Sequence, residues 1–230
     1  MMAKYLEILE FPKVLARLAG ETETSMGREL ALNLIPSPEA SEVERRQEET
    51  SEARRHLALS PGFSLAGAQD VRGLTHNAEI ELVLSPQELL AIRDTLRVAR
   101  RARRQLVPLE GELPHLAAGA RSLEDCPEVL QEISRCLNDQ GEVLDGASPA
   151  LAAVRAEVKL AREQLWEKLE AMASSPQNAQ FLQEPIITQR GGRYVILLKA
   201  DFKGRIPGII HDESASGLTL FLEPLAMVQL

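Results

Sequence analysis

The chain contains 230 residues, of which 44% are hydrophobic but only 3% aromatic, so its core is expected to consist of Leu, Ala, Val and Ile side chains packed between helices. Its formal net charge of −8 at pH 7 excludes attraction of nucleic acid by the overall field and leaves a local basic patch as the alternative. The two cysteines lack metal-ligand spacing, and no apolar leader or membrane-length apolar run is present, which together predict reduced thiols in a cytoplasmic protein.

Hydrophobic periodicity and turn residues predict a series of helices in the part of the chain before residue 138. The shorter predicted segments are 12–19, 24–34, 41–59, 70–78, 116–123 and 128–137. A longer helix is predicted to begin after Ser85 and to run to about Val107. Its start is indicated by Ser85, Pro86 and Glu88, which form the pattern of a capping box with proline at the first helical position.

The longest predicted helix follows Ser148 and Pro149 and extends to about Met172, which at 1.5 Å per residue gives a length of roughly 36 Å. Its apolar residues recur at alternating steps of three and four, as in a coiled-coil seam of about three heptads. The seam positions are Leu151, Val154, Val158, Ala161, Leu165, Leu169 and Met172. A seam of this kind requires a partner helix, and no equally long helix is predicted after it.

The stretch between Pro185 and Pro224 has strand character, in contrast to the helical pattern before it. Strands are predicted at 186–188, 194–198, 208–211 and 218–222. Gly191 and Gly192 tolerate the positive φ of a two-residue hairpin turn, and the polar segment 212–217 joins the second pair of strands. The predicted fold class is therefore mainly α with a small C-terminal β part, in which one long helix leads to short antiparallel hairpins.

Residues of this β part also carry a resemblance to a known family. They are Arg193, Tyr194, Lys199, Gly208, Ile209, His211, Asp212, Ser214, Ala215, Ser216, Gly217, Thr219, Phe221, Glu223 and Pro224. Together with supporting stretches at 6–19, 70–80, 83–92 and 141–151, this pattern resembles the MutS-two family, a branch of the MutS proteins that lacks the mismatch-recognition domain. The resemblance extends over all 230 residues.

The resemblance implies an N-terminal fragment with a helical core and lever base at 1–147, an ascending lever helix at 148–180 and a β clamp at 181–230, cut before the descending lever helix. It also implies that intact relatives are dimeric endonucleases, dependent on ATP and Mg, that grip branched DNA and suppress homologous recombination. Such relatives are linked as well to contacting ribosomal RNA on collided ribosomes and to splitting these ribosomes. The resemblance also implies that the ATPase and the nuclease domain lie downstream of the clamp, and the chain contains no GxxxxGK[ST] phosphate-binding loop. Neither activity, and no cofactor, is therefore expected of this fragment.

One candidate for phosphate binding is a stripe of arginines on the helix that follows Ser85. It consists of Arg93, Arg97, Arg100 and Arg104. Their spacing by three and four residues puts these side chains on one face of the helix. Charge runs on helices are more often solvated faces, and the many glutamates of the chain offer partners. The stripe is therefore interpreted as a solvated, paired face rather than as a binding site.

The second candidate is the tip of the β part, where residues 186–210 contain five basic side chains and one acidic side chain. The candidate nucleic-acid-binding residues are Arg190, Gly191, Gly192, Arg193, Tyr194, Lys199, Lys203 and Arg205. The glycines would let a phosphate approach the backbone, and Tyr194 would offer its ring to a sugar or base. The alternative is an edge strand that its cations protect from aggregation. The residues alone leave both open, and the resemblance favours nucleic acid, because the clamp grips nucleic acid in this family.

His211 followed by Asp212 invites interpretation as a catalytic base or as half of a metal site. No third ligand is within reach in the sequence, and Asp beside serines is ordinary turn chemistry, so the pair is interpreted as the end of a strand that fixes the next turn. No catalytic or metal-binding residue is predicted. A protein-interaction module that dimerises through the seam of the long helix is the alternative function, and an enzyme acting through His211 is a third.

Overall fold

A computed structural model describes residues 2–228 of the chain. The chain divides into two units, 1–147 and 148–230, and each unit has a hydrophobic cluster of its own. The first unit is helical, and the second combines helices with an antiparallel sheet, which confirms the predicted fold class. No helix within the described residues is both long and apolar enough to cross a membrane.

The first unit consists of helices of 7–21 residues. They are α1 (Met2–Ile8), α2 (Phe11–Gly20), α3 (Ser25–Leu32), α4 (Ala40–Leu59), α5 (Arg72–Glu79), α6 (Pro86–Leu106), α7 (Pro114–Arg121) and α8 (Pro127–Cys136). Each helix predicted for this part of the chain is present, with both ends within two residues of the predicted positions. α1 was not predicted, because two turns of helix are too short to display a period.

Two of these helices begin where a side chain bonds to a backbone N–H group. At the start of α3, Thr24 Oγ1 accepts a hydrogen bond of 3.0 Å from Gly27 N. Before α6, Ser85 Oγ accepts from Glu88 N, while Glu88 Oε2 accepts from Ser85 N at 2.7 Å, which completes the predicted capping box. These bonds satisfy N–H groups that have no partner within the helix itself.

Small side chains allow the helices around α6 to approach one another closely. Val98, Ala102 and Leu106 of α6 are buried, and so are Ala117 and Ala120 of α7. α6 contacts both α7 and α8. The low aromatic content of the sequence is thus matched by a core of alanine and aliphatic residues.

α4 is largely polar, yet it buries two polar side chains, Glu52 and His56, one turn apart. The Glu52 carboxylate reaches the start of α7, where its Oε2 accepts a hydrogen bond of 3.0 Å from Leu116 N. Its Oε1 accepts a bond of 3.3 Å from His115 N and lies 2.7 Å from His115 Nδ1. α7 has no side-chain cap of its own, so a carboxylate from a neighbouring helix takes that role.

The second unit begins with the longest helix and ends with a sheet. Its elements are α9 (Pro149–Ser174), α10 (Pro176–Ala179), β1 (Leu182–Arg190), β2 (Arg193–Lys199), β3 (Gly208–Glu213), β4 (Thr219–Pro224) and α11 (Leu225–Val228). The strand order is β1-β2-β4-β3, and all neighbouring strands are antiparallel. The two predicted hairpins, β1–β2 and β3–β4, are therefore parts of one sheet, joined by the pairing of β2 with β4.

One face of the sheet packs on the C-terminal part of α9. Leu169 of α9 is fully buried in a cluster with Leu222 of the sheet and Met227 of α11. The seam at this end of α9 is thus covered by the sheet and by α11 rather than by a second long helix.

The N-terminal part of the α9 seam, in contrast, is exposed. Val154 and Val158 are exposed by 55% and 46%, so a coiled coil through this part stays a prediction. Gln229 and Leu230, which the prediction included in the clamp, lie outside the described residues.

Both edge strands of the sheet are irregular. β1, at one edge, shifts register twice between Leu182 and Ile187, and Pro185 lies within the shifted stretch. Proline has no N–H group to donate and is tolerated at edges and bulges. β3, at the other edge, shifts register at His211, which is the extra residue of a bulge.

Candidate nucleic-acid interface

The turn between β1 and β2 has the conformation that its two glycines predict. Gly191 has φ of 56° and Gly192 has φ of 79°, as in a two-residue turn whose central residues both require positive φ. Apart from the adjacent residues, no heavy atom of residues 2–228 lies within 4 Å of the position that a Cβ would occupy at Gly191 or Gly192. The backbone of the turn is therefore open to close approach by another molecule.

Two arginines flank this turn and are direct cross-strand partners, Arg190 on β1 and Arg193 on β2. The guanidinium of Arg190 lies 4.4 Å from the centroid of the Phe221 ring, and its Nε is 3.7 Å from Asp212 Oδ2. Arg193 Nη1 lies 3.4 Å from Glu223 Oε1. Like charges placed opposite one another destabilise a hairpin, and the two carboxylates offset that repulsion.

Glu223 is a buried carboxylate with both oxygens engaged. It has a relative exposure of 6% and lies on the sheet face turned away from α9. Its Oε1 contacts Arg193, and its Oε2 lies 2.6 Å from His211 Nε2. The sequence predicted that His211 ends its strand, but β3 continues to Glu213. The bulge in β3 lets the imidazole reach a strand neighbour.

The turn after β3 is held mainly by Ser214, and Asp212 Oδ1 also accepts a hydrogen bond of 2.9 Å from Glu213 N. Ser214 N donates a hydrogen bond of 2.8 Å to Thr219 O, and Ser214 Oγ accepts one of 3.1 Å from Thr219 N. Gly217, with φ of 70°, completes the reversal and donates to Ser214 O. His211 bonds to Glu223 instead of to this turn, which corrects the role expected of it from the sequence.

Tyr194 packs inward rather than presenting a free ring. It is half-buried against the core of the second unit, and its ring meets Trp166 edge to face with the centroids 5.8 Å apart. Trp166, the single tryptophan of the chain, is 45% exposed beside an open cavity of about 380 Å³ that Arg162 also lines. Trp166 was not among the site residues predicted from the sequence.

Lys199 lies far from the turn. It ends β2, about 17 Å from Tyr194 at the usual rise of a strand, and its Nζ donates a hydrogen bond of 3.1 Å to Gln180 O. The eight candidate residues therefore do not form one cluster.

Lys203 and Arg205 belong to the connection between β2 and β3. Both are exposed, and among the residues that the structure describes neither has a carboxylate oxygen within 4 Å. The connection ends at Gly208, which is opposite Pro224 and so at the end of the sheet from which the β1–β2 turn projects. Arg205 precedes Gly208 by three residues, so the chain keeps it within about 10 Å of that residue.

The positive charge of residues 186–210 is partly neutralised in the folded chain by acidic residues from outside this stretch. Folding brings Asp212 and Glu223 to Arg190 and Arg193, and both acids lie outside the counted stretch. The second unit contains nine basic and nine acidic residues, so the whole net charge of −8 belongs to the first unit.

Three of the four arginines of the α6 stripe have acidic partners, and only Arg93 is buried. Arg93 is buried and contacts Asp94 at 2.8 Å and Asp139 at 2.9 Å. Arg97 approaches the same two aspartates at 3.5 and 3.8 Å. Arg100 lies 3.4 Å from Asp125. These partners are aspartates rather than the abundant glutamates, with Asp94 on α6 itself and Asp125 and Asp139 in other segments. Arg104 is exposed and has no carboxylate oxygen within 4 Å among the residues that the structure describes.

Residues 2–228 contain no group of three or more His, Cys, Asp and Glu side chains arranged to hold a metal ion. Cys126 and Cys136 are free thiols, the first exposed and the second half-buried.

Comparison with known proteins identifies relatives over the whole chain. No family model matches the sequence. Proteins named Endonuclease MutS2 are 41% identical over 229 residues in Pelotomaculum thermopropionicum, 41% over 230 in Symbiobacterium thermophilum and 41% over 233 in a Geobacillus species. Each alignment covers 100% of this chain and 29–30% of the relative. The resemblance stated from the sequence is confirmed: the chain belongs to the MutS2 family, and it spans about 30% of the length of the curated relatives it matches.

Proposed function

We propose that the second unit binds nucleic acid through cations at the β1–β2 turn and in the connection between β2 and β3. The observation that carries the proposal is the state of Lys203 and Arg205, which are exposed and have no carboxylate partner among the described residues. Cations without an acidic partner are available to phosphate oxygens. Gly204 between them and the Gly191–Gly192 turn leave room for a backbone to approach.

The distribution of charge supports this choice of unit. Residues 1–147 carry the whole net charge of −8 and would repel a phosphate backbone, whereas residues 148–230 are neutral overall. Arg193, exposed by 61% at its side chain, retains N–H groups beyond the single contact with Glu223. Arg190 and Arg193 are held by carboxylates, and we propose that they orient the ligand while Lys203 and Arg205 add unpaired charge.

The test is a binding series with duplex DNA, a four-way DNA junction and a structured RNA, measured by fluorescence anisotropy over a range of salt concentrations. The double variant Lys203→Glu with Arg205→Glu should lose most of the affinity, and its salt dependence should flatten by about two units of slope. This pair is preferable to Arg190 and Arg193, whose reversal would also place a new negative charge beside Asp212 and beside Glu223.

A matched control reverses two charges on α6, Arg97→Glu with Arg104→Glu, and changes the net charge by the same amount. It should bind like the unmodified chain. Loss of binding in this control, together with retention in the Lys203 and Arg205 variant, would move the site to the arginine stripe and refute the proposal. Quenching of Trp166 fluorescence gives an independent readout within the second unit, because the chain has no other tryptophan.

We propose further that the longer protein to which this segment belongs uses ATP and Mg in domains outside the 230 residues and acts in the cytoplasm as a homodimeric endonuclease. Its target is branched DNA in suppression of recombination, ribosomal RNA of collided ribosomes, or both, with 1–147 as core, 148–180 as lever and 181–230 as clamp. The three ligands of the binding series separate these targets. The segment alone should hydrolyse neither ATP nor DNA, and turnover that disappears on substitution of one of its own residues would contradict this.

A second candidate function is self-association through α9, favoured by the exposure of Val154 and Val158. Sedimentation should then show a mass that rises with concentration, and Val154→Glu with Val158→Glu should abolish the rise. These positions are better suited than Leu165, which packs against the core of the second unit. A monomer at high concentration would reject this function.

A further inference from the structure

Trp166 and Tyr194 form a corner of two aromatic rings in the second unit. Trp166 lies on α9 and Tyr194 on β2, and their ring planes are inclined by 83° with the centroids 5.8 Å apart. Trp166 is 45% exposed, and a cavity of about 380 Å³ opens beside it. Exposed aromatic faces bind planar rings, nucleobases above all, by stacking. The indole is therefore accessible to a flat ligand.

Polar side chains of α9 complete the wall of this cavity. Arg162, Glu163 and Glu167 line it together with the two rings. Glu163 lies 3.8 Å from Lys159, whereas Glu167 has no basic group within 4 Å among the described residues. Arg162 likewise has no carboxylate oxygen within 4 Å in that part of the chain. A free hydrogen-bond acceptor and a free cation thus lie beside the exposed ring.

A nucleotide combines the chemistry that these three groups can bind. It offers a flat ring for stacking, hydrogen-bond donors at the edge of the base and a phosphate joined through the sugar. Guanine is the base with two adjacent donors, N1–H and N2–H, which match the two oxygens of one carboxylate. Two carboxylates and two aromatic rings would also suit a cation, but the free guanidinium of Arg162 in the same cavity disfavours a cationic ligand.

The cavity lies next to the turn at which nucleic acid is proposed to bind. Tyr194 follows Gly192 by two residues, which corresponds to about 7 Å along β2. A strand with its phosphates at the β1–β2 turn can therefore place one base in the cavity. That base has to be unpaired, because the N1–H and N2–H groups of a paired guanine already donate to its partner base.

We propose that this cavity is a binding site for one unpaired guanine of a DNA or RNA strand, stacked on Trp166 with its N1–H and N2–H groups donating to the Glu167 carboxylate. Arg162 binds an adjacent phosphate, and the edge of the base meets Tyr194. The inference rests on the proposed nucleic-acid function and adds to it a preference for an unpaired base of one kind.

Single strands that differ in one base test the chemistry. Short thymidine strands carry one central guanine, hypoxanthine, adenine or thymine, and binding is measured by fluorescence anisotropy and by quenching of Trp166. Hypoxanthine keeps N1–H but lacks the N2 amino group, so it should bind about 10-fold more weakly than guanine, as expected for loss of one hydrogen bond to a charged group. Pairing the strand with its complement should remove the preference. Equal affinity for the guanine and hypoxanthine strands would overturn the proposal.

The same series made of RNA, with uridine in place of thymidine, examines the sugar. The preference for guanine is expected in DNA and in RNA, because the cavity holds the base by its face and its edge. Absence of the preference from both series would overturn the proposal.

Two variants locate the binding. Glu167→Gln keeps the size of the side chain but removes its charge, so it should abolish the preference for guanine over hypoxanthine without weakening the thymine strand. Trp166→Leu should weaken binding of the guanine strand by about 5- to 150-fold, the usual contribution of one stacked base. Trp166→Phe keeps a smaller ring and should lose less, and circular dichroism checks the fold of both. An unchanged preference in Glu167→Gln would refute the assignment.

A matched control makes the same change outside the cavity. Glu157→Gln removes one charge from an exposed residue of α9 that does not line the cavity, and it should keep the full preference for guanine. Loss of the preference in this variant would refute the location. Tetramethylammonium tests the alternative ligand: saturable quenching of Trp166 by this cation, with displacement of the guanine strand, would identify a cation site and overturn the proposal.

The double variant Lys203→Glu with Arg205→Glu separates this inference from the proposed function. It should weaken binding of all strands alike and leave the preference for guanine unchanged. If it loses affinity while no base is preferred, the proposed function stands and the guanine site is refuted. If guanine is preferred but the double variant binds normally, the guanine site stands and the assignment of the cations is refuted. Absence of binding to every strand would overturn both.

Discussion

Replacing Glu52 with alanine should destabilise the first unit by about 2–4 kcal/mol. The carboxylate accepts from Leu116 N at 3.0 Å and from His115 N at 3.3 Å, and both N–H groups lose their partner in the variant. Hydrogen bonds to charged groups contribute about 1.5–3 kcal/mol each, and loss of a helix N-cap costs about 0.5–2 kcal/mol. Glu52→Gln keeps one acceptor oxygen, so it should lose about half as much.

The effect should depend on pH with a defined sign. Burial alone would raise the pKa of Glu52, but hydrogen bonds from Leu116 and His115 outweigh it and hold the pKa below 4.5. The bond to Glu52 raises the pKa of His115 above 6.5. The contribution of Glu52 is complete above pH 4.5 and is lost as pH falls through its lowered pKa, whereas that of His115 is complete below pH 6.5 and is lost as pH rises through its raised pKa. The difference between Glu52→Ala and the unmodified chain should therefore be largest between these two values.

The assay is urea unfolding by far-ultraviolet circular dichroism at about pH 5.5 and about pH 8, combined with hydrogen exchange of peptides from α7. Exchange should accelerate at the start of α7, where the two N–H groups lose their acceptor. Glu44→Ala, an exposed residue of the same helix, is the control. A free energy of unfolding within about 0.5 kcal/mol of the unmodified chain, with α7 equally protected, would refute the capping role.

Three further predictions concern other positions. Gly208→Ala should destabilise the second unit by about 1–3 kcal/mol, because the new Cβ would lie 2.4 Å from Glu223 O, and urea unfolding monitored by Trp166 fluorescence measures this. Gly73→Ala, which has open space around the new Cβ, should be neutral or stabilising. The carboxyl of Asp70 should titrate at about 2 in an NMR experiment, because hydrogen bonds from Arg72 lower its pKa, and an unchanged midpoint in Arg72→Ala would contradict that cause. Gly191→Ala should destabilise the hairpin by about 1–2 kcal/mol because φ is positive there, and Gly191→Asn should cost less; equal effects of the two would argue against the turn type.

Elements that depend on neighbouring residues could be predicted from the sequence. Ser85 and Glu88 predict the start of α6, because a capping box is complete within four residues. Gly191 and Gly192 predict a hairpin, because the turn requires positive φ at both positions. In both cases the signal and the structure that it specifies lie in the same short segment.

Contacts between distant segments could not be predicted in the same way. Glu223 meets Arg193 across 30 residues because β2 pairs with β4, and a charge count along residues 186–210 does not reach it. In the sequence, Arg93 looks like a surface residue of a charged stripe, because its contact with Asp139 joins two distant segments of the chain. One available signal was the alternation along β4, which puts Phe221 and Glu223 on one face, where Arg190 and Arg193 meet them.

The irregular edges of the sheet limit how another protein can join it. A straight edge strand offers a row of free N–H and C=O groups, onto which an extended peptide can add as a further strand. Pro185 removes a donor within the shifted stretch of β1, and the bulge at His211 interrupts the row on β3. A continuous added strand is therefore disfavoured at both edges, which also protects the sheet against edge-to-edge aggregation. Partners can instead recognise the turns of the sheet, the connection between β2 and β3, and the exposed side chains.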